Sequence, residues 1–258
     1  MSLARLLLVL VVAIGLASCD GREPIEPASS EDLRGESGVS ERDSEPGASG
    51  STAEGDDRSA LPKIIAFGDS LTAGFGIARD EAYPAQLQRM LDEAGFELEV
   101  INAGVSGETT AGGRRRLAWV LEDRDVRAIV LSLGGNDGLR GLSPSEMKQN
   151  LKAMIDEARL RDITVLLCGM IAPPNHGETY TGAFRDAFFE LAEEEDVAFL
   201  PFLLEGVVGD PGLNQSDGIH PNPEGAAIVA GNVFEALTPL LEPANANRNA
   251  IETESPSP

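Results

Sequence analysis

Residues 63–74 read K-I-I-A-F-G-D-S-L-T-A-G, an apolar run that ends in a glycine and is followed at once by an acid, a serine and a second glycine. Lys63–Phe67 is too short for a buried helix and too apolar for a strand with one face in water, so it reads as a strand covered on both sides. Runs of the same kind recur at Leu98–Asn102, Ala128–Leu133, Thr164–Met170 and Ala198–Pro201. Longer segments with helical spacing alternate with them at Ala82–Ala94, Thr109–Glu122, Pro144–Arg161, Thr181–Glu195 and Pro223–Leu241. This alternation predicts an α/β fold, a three-layer αβα sandwich around a doubly wound, five-stranded parallel sheet. Two helix starts carry their own signals. Ser143 can cap with Pro144 in the first turn and Glu146 completing a capping box, and Asn222 before Pro223 repeats the pattern.

In a doubly wound sheet, ligands bind beyond the carboxyl ends of the strands, near the point where strand order reverses. The segments at those ends read G-D-S-L-T-A-G, N-A-G-V-S-G-E-T-T, G-G-N-D-G-L-R-G, I-A-P-P-N-H-G-E-T-Y and S-D-G-I-H-P-N. Ser70, in the first, is a poor nucleophile unless a base takes its proton; read alone, it is better taken as a helix N-cap. His220, in the last, changes the balance. Asp217 lies three residues before it, and positions i and i+3 of a turn share a face. The carboxylate can then hold Nδ1 and leave Nε2 to accept the serine proton. Read alone, His220 is a loop histidine beside a chance acid. A tetrahedral acyl intermediate also needs donors for its oxyanion, which backbone N–H groups and the Asn136 amide can supply. Gly134 and Gly135 permit the dihedrals that turn Asn136 inward. Taken singly, Gly104 is a turn glycine and Asn136 a turn residue.

Together and in order, these blocks resemble the SGNH hydrolases, also called the GDSL esterase/lipase family, over about residues 63–241. The four positions that name the family are matched by Ser70, Gly104, Asn136 and His220. The resemblance implies a Ser70–His220–Asp217 triad, an oxyanion hole from the Ser70 and Gly104 N–H groups with the Asn136 amide, and a flavodoxin-like fold. The serine is not in a G-x-S-x-G elbow, which speaks against the α/β-hydrolase fold. The strings G-D-S-L-T-A-G, G-G-N-D-G-L-R-G and S-D-G-I-H-P-N are similar to those of bacterial arylesterases, acyl-thioesterases and lysophospholipases. In that subgroup the loop after the fourth strand, here around Pro173–Tyr180, lines the acyl pocket. The expected substrates are therefore small acyl esters, thioesters or lysophospholipids. A carbohydrate O-deacetylase of the same fold is the second reading, and a lipoprotein that binds a ligand without reacting is the third.

The chain carries a net charge of −23. An acidic body repels phosphate backbones and anionic headgroups, so nucleic acid is not an expected partner, and no obligate protein partner is evident. Two cysteines and two histidines leave no cluster to hold zinc, so no metal or other cofactor is expected. Cys168 lies in an apolar run and reads as a buried, inert thiol. Residues 1–18 have the layout of a signal peptide, with Arg5, an apolar stretch Leu6–Leu16 and the ending L-A-S-C. That ending resembles the lipobox of bacterial lipoproteins, in which Cys19 would be lipidated; an ordinary secretory signal is the alternative. Asp20 resembles an inner-membrane retention signal. Residues 19–62 read as a disordered acidic tether, 63–242 as the folded domain and 243–258 as a disordered tail. The expected location is the cell envelope, with the domain anchored through Cys19 on the periplasmic side or at the cell surface.

Several conspicuous residues receive plainer readings. His176 is expected to be a solvated loop residue and Arg114–Arg116 a solvated helix surface. Trp119, Phe188 and Phe189 are expected in the core. Gly74 and Gly76 resemble part of a nucleotide loop but lack the Gly-Lys-Ser/Thr that would complete it.

Overall fold

Five apolar runs form the strands β1 (Lys63–Gly68), β2 (Glu99–Gly104), β3 (Val126–Ser132), β4 (Thr164–Cys168) and β5 (Ala198–Leu200). All pair in parallel, in the order β2-β1-β3-β4-β5. The computed structural model describes residues 58–122 and 125–241. The expected signal peptide, Cys19, the tail and all but the last residues of the tether lie outside the described residues. Those last residues differ from expectation: Arg58–Ala60 form a 3-10 turn, and Lys63 Nζ donates to the Arg58 and Ser59 carbonyls at 2.8 Å.

The near-continuous apolarity of the strands follows from their place in the sheet. Strand β1 is buried along its whole length and β3 from Ala128 onward, whereas β2 and β5, at the edges, are only half-covered. The helices are α1 (Ser70–Ala73), α2 (Tyr83–Glu93), α3 (Thr110–Val120), α4 (Gly135–Leu139), α5 (Pro144–Arg159), α6 (Glu178–Glu195) and α7 (Pro223–Leu241). Helix α2 packs with α7, while α3 packs with α5 and α5 with α6. Ser143 Oγ accepts the Glu146 N–H at 3.3 Å and Asn222 Oδ1 the Gly225 N–H at 2.9 Å, so both expected caps form. The strand order reverses between β1 and β3, and the loops leaving the carboxyl end of the sheet converge there.

Three expectations about side chains are corrected. Trp119 and Phe189 are 72% and 47% exposed, and only Phe188 is core. Helix α3 buries the stripe Gly113, Leu117 and Val120, and Trp119 falls off it. Arg116 is not a solvated surface residue. Its guanidinium lies 3.9 Å from the Phe67 ring centroid, and Nη2 donates to the Ala103 carbonyl at 2.9 Å. Glu108 completes the arrangement, accepting from Arg116 Nε at 2.8 Å. Arg116 thus fastens the carboxyl end of β2 against α3. Cys168 is fully buried, and that burial pushes its thiol pKa up.

Gly104 belongs to this framework. A Cβ there would lie 2.2 Å from Ala73 N and 2.8 Å from Thr72 C, because the backbone of α1 presses directly on the end of β2. The obstruction is backbone, so no rotamer change relieves it. Gly104→Ala should therefore destabilise the fold by about 3 kcal/mol or more, lowering Tm by roughly 6–12 °C. A thermal melt within about 2 °C of wild type would show that α1 and β2 are free to separate.

Candidate active site

Strand β1 ends at Gly68, where a Cβ would meet Thr72 Oγ1 at 2.1 Å and Ser132 Oγ at 2.5 Å, so only glycine lets α1 start this close to the sheet. Asp69 caps the helix, its Oδ1 accepting the Leu71 N–H at 3.1 Å. Ser70 is then the first residue of α1, and its N–H has no acceptor among the described residues. Behind it, Thr72 Oγ1 lies 2.9 Å from Ser132 Oγ and 3.2 Å from Tyr83 OH in a fully enclosed hydroxyl cluster.

The segment before α7 brings the histidine across. Gln215 N–H donates to the His220 carbonyl at 2.8 Å, and Asn214 and Pro221 form an antiparallel bridge, so Asp217 and His220 sit on a closed loop. Gln215 Nε2 ties that loop to the helix bearing Ser70, donating to the Phe75 carbonyl at 2.6 Å and to that of Pro221 at 3.0 Å. His220 Nε2 lies 2.9 Å from Ser70 Oγ, although 150 positions separate the two residues. His220 Nδ1 lies 2.6 Å from Asp217 Oδ2, while Asp217 Oδ1 accepts the Ile219 and His220 N–H groups at 2.9 and 3.0 Å. The bond to His220, followed by those backbone donors, holds the Asp217 carboxyl at a pKa of about 2. A permanently ionised Asp217 fixes the proton on Nδ1 and leaves Nε2 as the acceptor for the Ser70 hydroxyl. The Phe75 ring covers one side of the imidazole, with centroids 4.7 Å apart.

Asn136 stands in the first turn of α4, turned inward by Gly134 at φ 118°. Its Nδ2 donates one hydrogen to Asp69 Oδ2 at 3.1 Å, leaving the second for a ligand. Asp69 is buried, and that burial pushes its pKa up to about 6 despite the hydrogen bonds from Leu71 and Asn136. The expected role of Gly104 is not supported by its surroundings. Its N–H donates to Asn102 Oδ1 at 3.0 Å, and the residue faces α1 rather than the cavity. Gly107, three residues on, lines the cavity with Ser70 and Asn136. It occupies the third position of the turn Val105–Glu108 at φ 78°, where glycine is at ease, and its N–H has no acceptor among the described residues. Arg140 Nη2 donates to its carbonyl at 2.8 Å.

The cavity is about 550 Å³ and opens beside Ser70, Asn136 and His220. Leu139, Ile171, Pro173, Phe202, Val208 and Ile219 make its wall largely apolar. The loop after β4 lines it through Met170–Pro174; of the expected stretch Pro173–Tyr180, only Pro173 and Pro174 take part. His176 does not reach the triad, and it is not a free solvated residue either: half-buried, it lies 3.3 Å from the Leu139 carbonyl and 5.1 Å from the Tyr180 ring. Gln215, Gly107 and Arg140 escaped the reading of the sequence. Only Gly107, in a glycine-bearing loop after a strand, carried a signal there.

Comparison with known proteins agrees with this geometry. A family model described as the GDSL-like Lipase/Acylhydrolase family matches residues 66–228. Esterase TesA of Pseudomonas aeruginosa is 40% identical over 184 residues, covering 71% of this chain and 92% of that protein. The thioesterase 1/protease 1/lysophospholipase L1 of Escherichia coli K12 is 36% identical over 182 residues, covering 70% and 86%. A crystal structure of TesA superposes with a TM-score of 0.67 at 40% identity, over 69% of this chain and 99% of that one. The chain therefore belongs to the GDSL-like lipase/acylhydrolase family, the SGNH hydrolases, and is an enzyme of the esterase type.

Proposed function

We propose that this enzyme cleaves carboxylic esters and thioesters of apolar acyl groups through an acyl-enzyme on Ser70. The observation that carries the reading is the unbroken line from Asp217 through His220 to Ser70, ending at the mouth of an apolar cavity. His220 Nε2 takes the Ser70 proton as Oγ attacks the acyl carbon, and Asp217 stabilises the imidazolium so formed. The oxyanion accepts from Ser70 N–H, Gly107 N–H and the second hydrogen of Asn136 Nδ2, none of which meets an acceptor among the described residues. His220 then protonates the leaving alkoxide or thiolate. Water, activated by the same imidazole, releases the acid and restores Ser70. The cavity is of ordinary ligand size, and its apolar wall offers an alkyl or aryl acyl group contacts that it denies to a sugar ring. The names of the esterase and thioesterase relatives support the same substrate class. A p-nitrophenyl ester series of increasing chain length tests this against O-deacetylation, which predicts acetate alone.

We propose further that the domain is exported and held at the cell envelope by lipid on Cys19. Support comes from the L-A-S-C ending after a charged and then apolar run. A chain of net charge −23 gains nothing from anionic headgroups, so on this reading retention comes from acyl chains.

Ser70→Ala and His220→Ala should each lower kcat by about 10⁴–10⁶, because the two residues act as one unit. Near-normal turnover by either would end the serine-esterase reading. Asp69→Asn leaves one oxygen to accept from both Leu71 N–H and Asn136 Nδ2. Its kcat on p-nitrophenyl acetate should fall by about 10–100-fold with KM little changed, approaching the roughly 10²–10³-fold loss expected of Asn136→Ala. A loss confined to KM would assign both residues to ground-state binding.

The raised pKa of Asp69 has a second consequence. Between the ordinary value of 3.8 and about 6, the folded protein keeps a proton that the unfolded chain releases. This group's contribution to stability therefore falls as pH rises through that window and is level above it. Stability measured by urea unfolding from pH 4 to pH 7 should lose that component in Asp69→Asn; parallel curves for the two proteins would refute it.

For the anchor, wild type should stay with membranes through a high-salt wash, and Cys19→Ala should be soluble with unchanged kcat on soluble aryl esters. A Cys19→Ala protein still bound to membrane would show that lipid on Cys19 is not what holds it.

A further inference from the structure

We propose that His176 sets the acyl-chain preference of this enzyme by pinning two stretches of the cavity wall to each other, without itself meeting the reacting atoms. The proposal rests on the ester-hydrolase reading above. One wall of the cavity is built from Leu139, at the end of α4, and from Pro173 and Pro174 in the loop between β4 and α6. No strand pairing joins these two stretches. The His176 ring does. Its Nε2, protonated, donates to the Leu139 carbonyl at 3.3 Å. The ring also sits against Gly141, where a Cβ would come within 3.0 Å of Cε1 and 3.1 Å of Nδ1, and where φ is +63°. It also meets Tyr180, whose hydroxyl donates to the Leu142 carbonyl at 2.8 Å and, more weakly, to that of Asp137 at 3.4 Å. Tyr180 in turn stacks on the buried Phe184, with centroids 6.1 Å apart, so the strut is rooted in the core through α6.

The two ends of α4 are held by different means, and this separates chain-length preference from the chemistry. The helix has only five residues and cannot stiffen its own far end. At its start, buried Asp137 accepts from Thr110 N–H at 2.9 Å and from Thr110 Oγ1 at 2.6 Å, which holds Asn136 in place independently of His176. At its end, Leu139 and Leu142 are exposed, and beyond the local backbone bonds, among them Leu142 N–H to the Asp137 carbonyl at 2.9 Å, the segment is restrained by the Arg140 side chain and the His176–Tyr180 strut. Arg140 reaches instead to the Gly107 carbonyl. Loss of His176 therefore leaves Ser70 and Asn136 where they are and loosens the wall farther out. A short acyl group ends before that wall; a longer one lies against it and depends on it.

The test uses the full chain and p-nitrophenyl acetate, butyrate, octanoate and laurate. His176→Ala should keep kcat and KM on acetate within about twofold of wild type, while KM for octanoate and laurate rises about fivefold or more. Tyr180→Phe, which removes the bonds to Leu142 and Asp137, should shift the series in the same direction. The double variant should do little more than His176→Ala alone, since the two side chains form one strut. If His176→Ala does not fold, His176→Gln carries the same comparison. Losses in equal proportion on all four esters, an unchanged chain-length series, or fully additive effects would overturn the proposal. A wild type inactive on all four would overturn the ester-hydrolase reading as well, whereas an active wild type with parallel losses overturns this proposal alone.

Discussion

Parallel strands joined by helical crossovers must all leave the sheet at the same edge. That constraint organises everything else in the molecule. It delivers the ends of β1, β2, β3 and β4 side by side, and the reversal of strand order between β1 and β3 opens the crevice in which Ser70, Gly107 and Asn136 meet. Because the sheet is covered on both faces, the strands are apolar and carry no chemistry of their own. Ser70, Gly107 and Asn136 stand in the first residues after β1, β2 and β3, and Asp217 and His220 in the loop before α7, where the scaffold is rigid and water still has access.

Two carboxylates flank the triad, and their surroundings drive them in opposite directions. Asp217 lies near solvent under three donors and stays ionised to a pKa of about 2, which suits a group that must face a developing imidazolium. Asp69 is buried and is pushed up to about 6, which suits an acceptor that caps α1 and steadies Asn136. One acid supplies charge to the reaction, and the other supplies geometry. Asp69 joins groups placed by β1 and β3, and Asp217 holds the imidazole that reaches Ser70, so the site is preorganised before any substrate arrives.

Close backbone approach does much of the positioning. Gly68 and Gly104 let α1 press on β1 and β2, and Gly141 lets the His176 ring lie on the chain beyond α4. Arg116 secures the same region with its side chain, stacking on Phe67 and holding the Ala103 carbonyl. The wall formed by α4 and the β4–α6 loop is fastened more lightly than the triad. Substrate preference can therefore change there without disturbing the reaction.

The strands were legible because burial on both faces forces a run of apolar residues, and the long helices because they repeat an apolar stripe and carry caps at Ser143 and Asn222. Ser70, Asp217, His220 and Asn136 were legible because each stands in a short block just after a strand or just before a capped helix. The helices α1 and α4 were not, since four or five residues, glycines among them, cannot show a helical period. Arg116, Trp119 and Phe189 were misjudged because composition does not say which side of a stripe meets the sheet. The choice between Gly104 and Gly107 shows the limit most clearly. By itself the sequence determined the parallel α/β architecture and which side chains meet at the candidate site, because those follow from residue type and period. Only the tertiary structure decided which backbone N–H is left open there: Asn102 occupies that of Gly104, nothing among the described residues occupies that of Gly107, and a donor's availability depends on what the fold places opposite it.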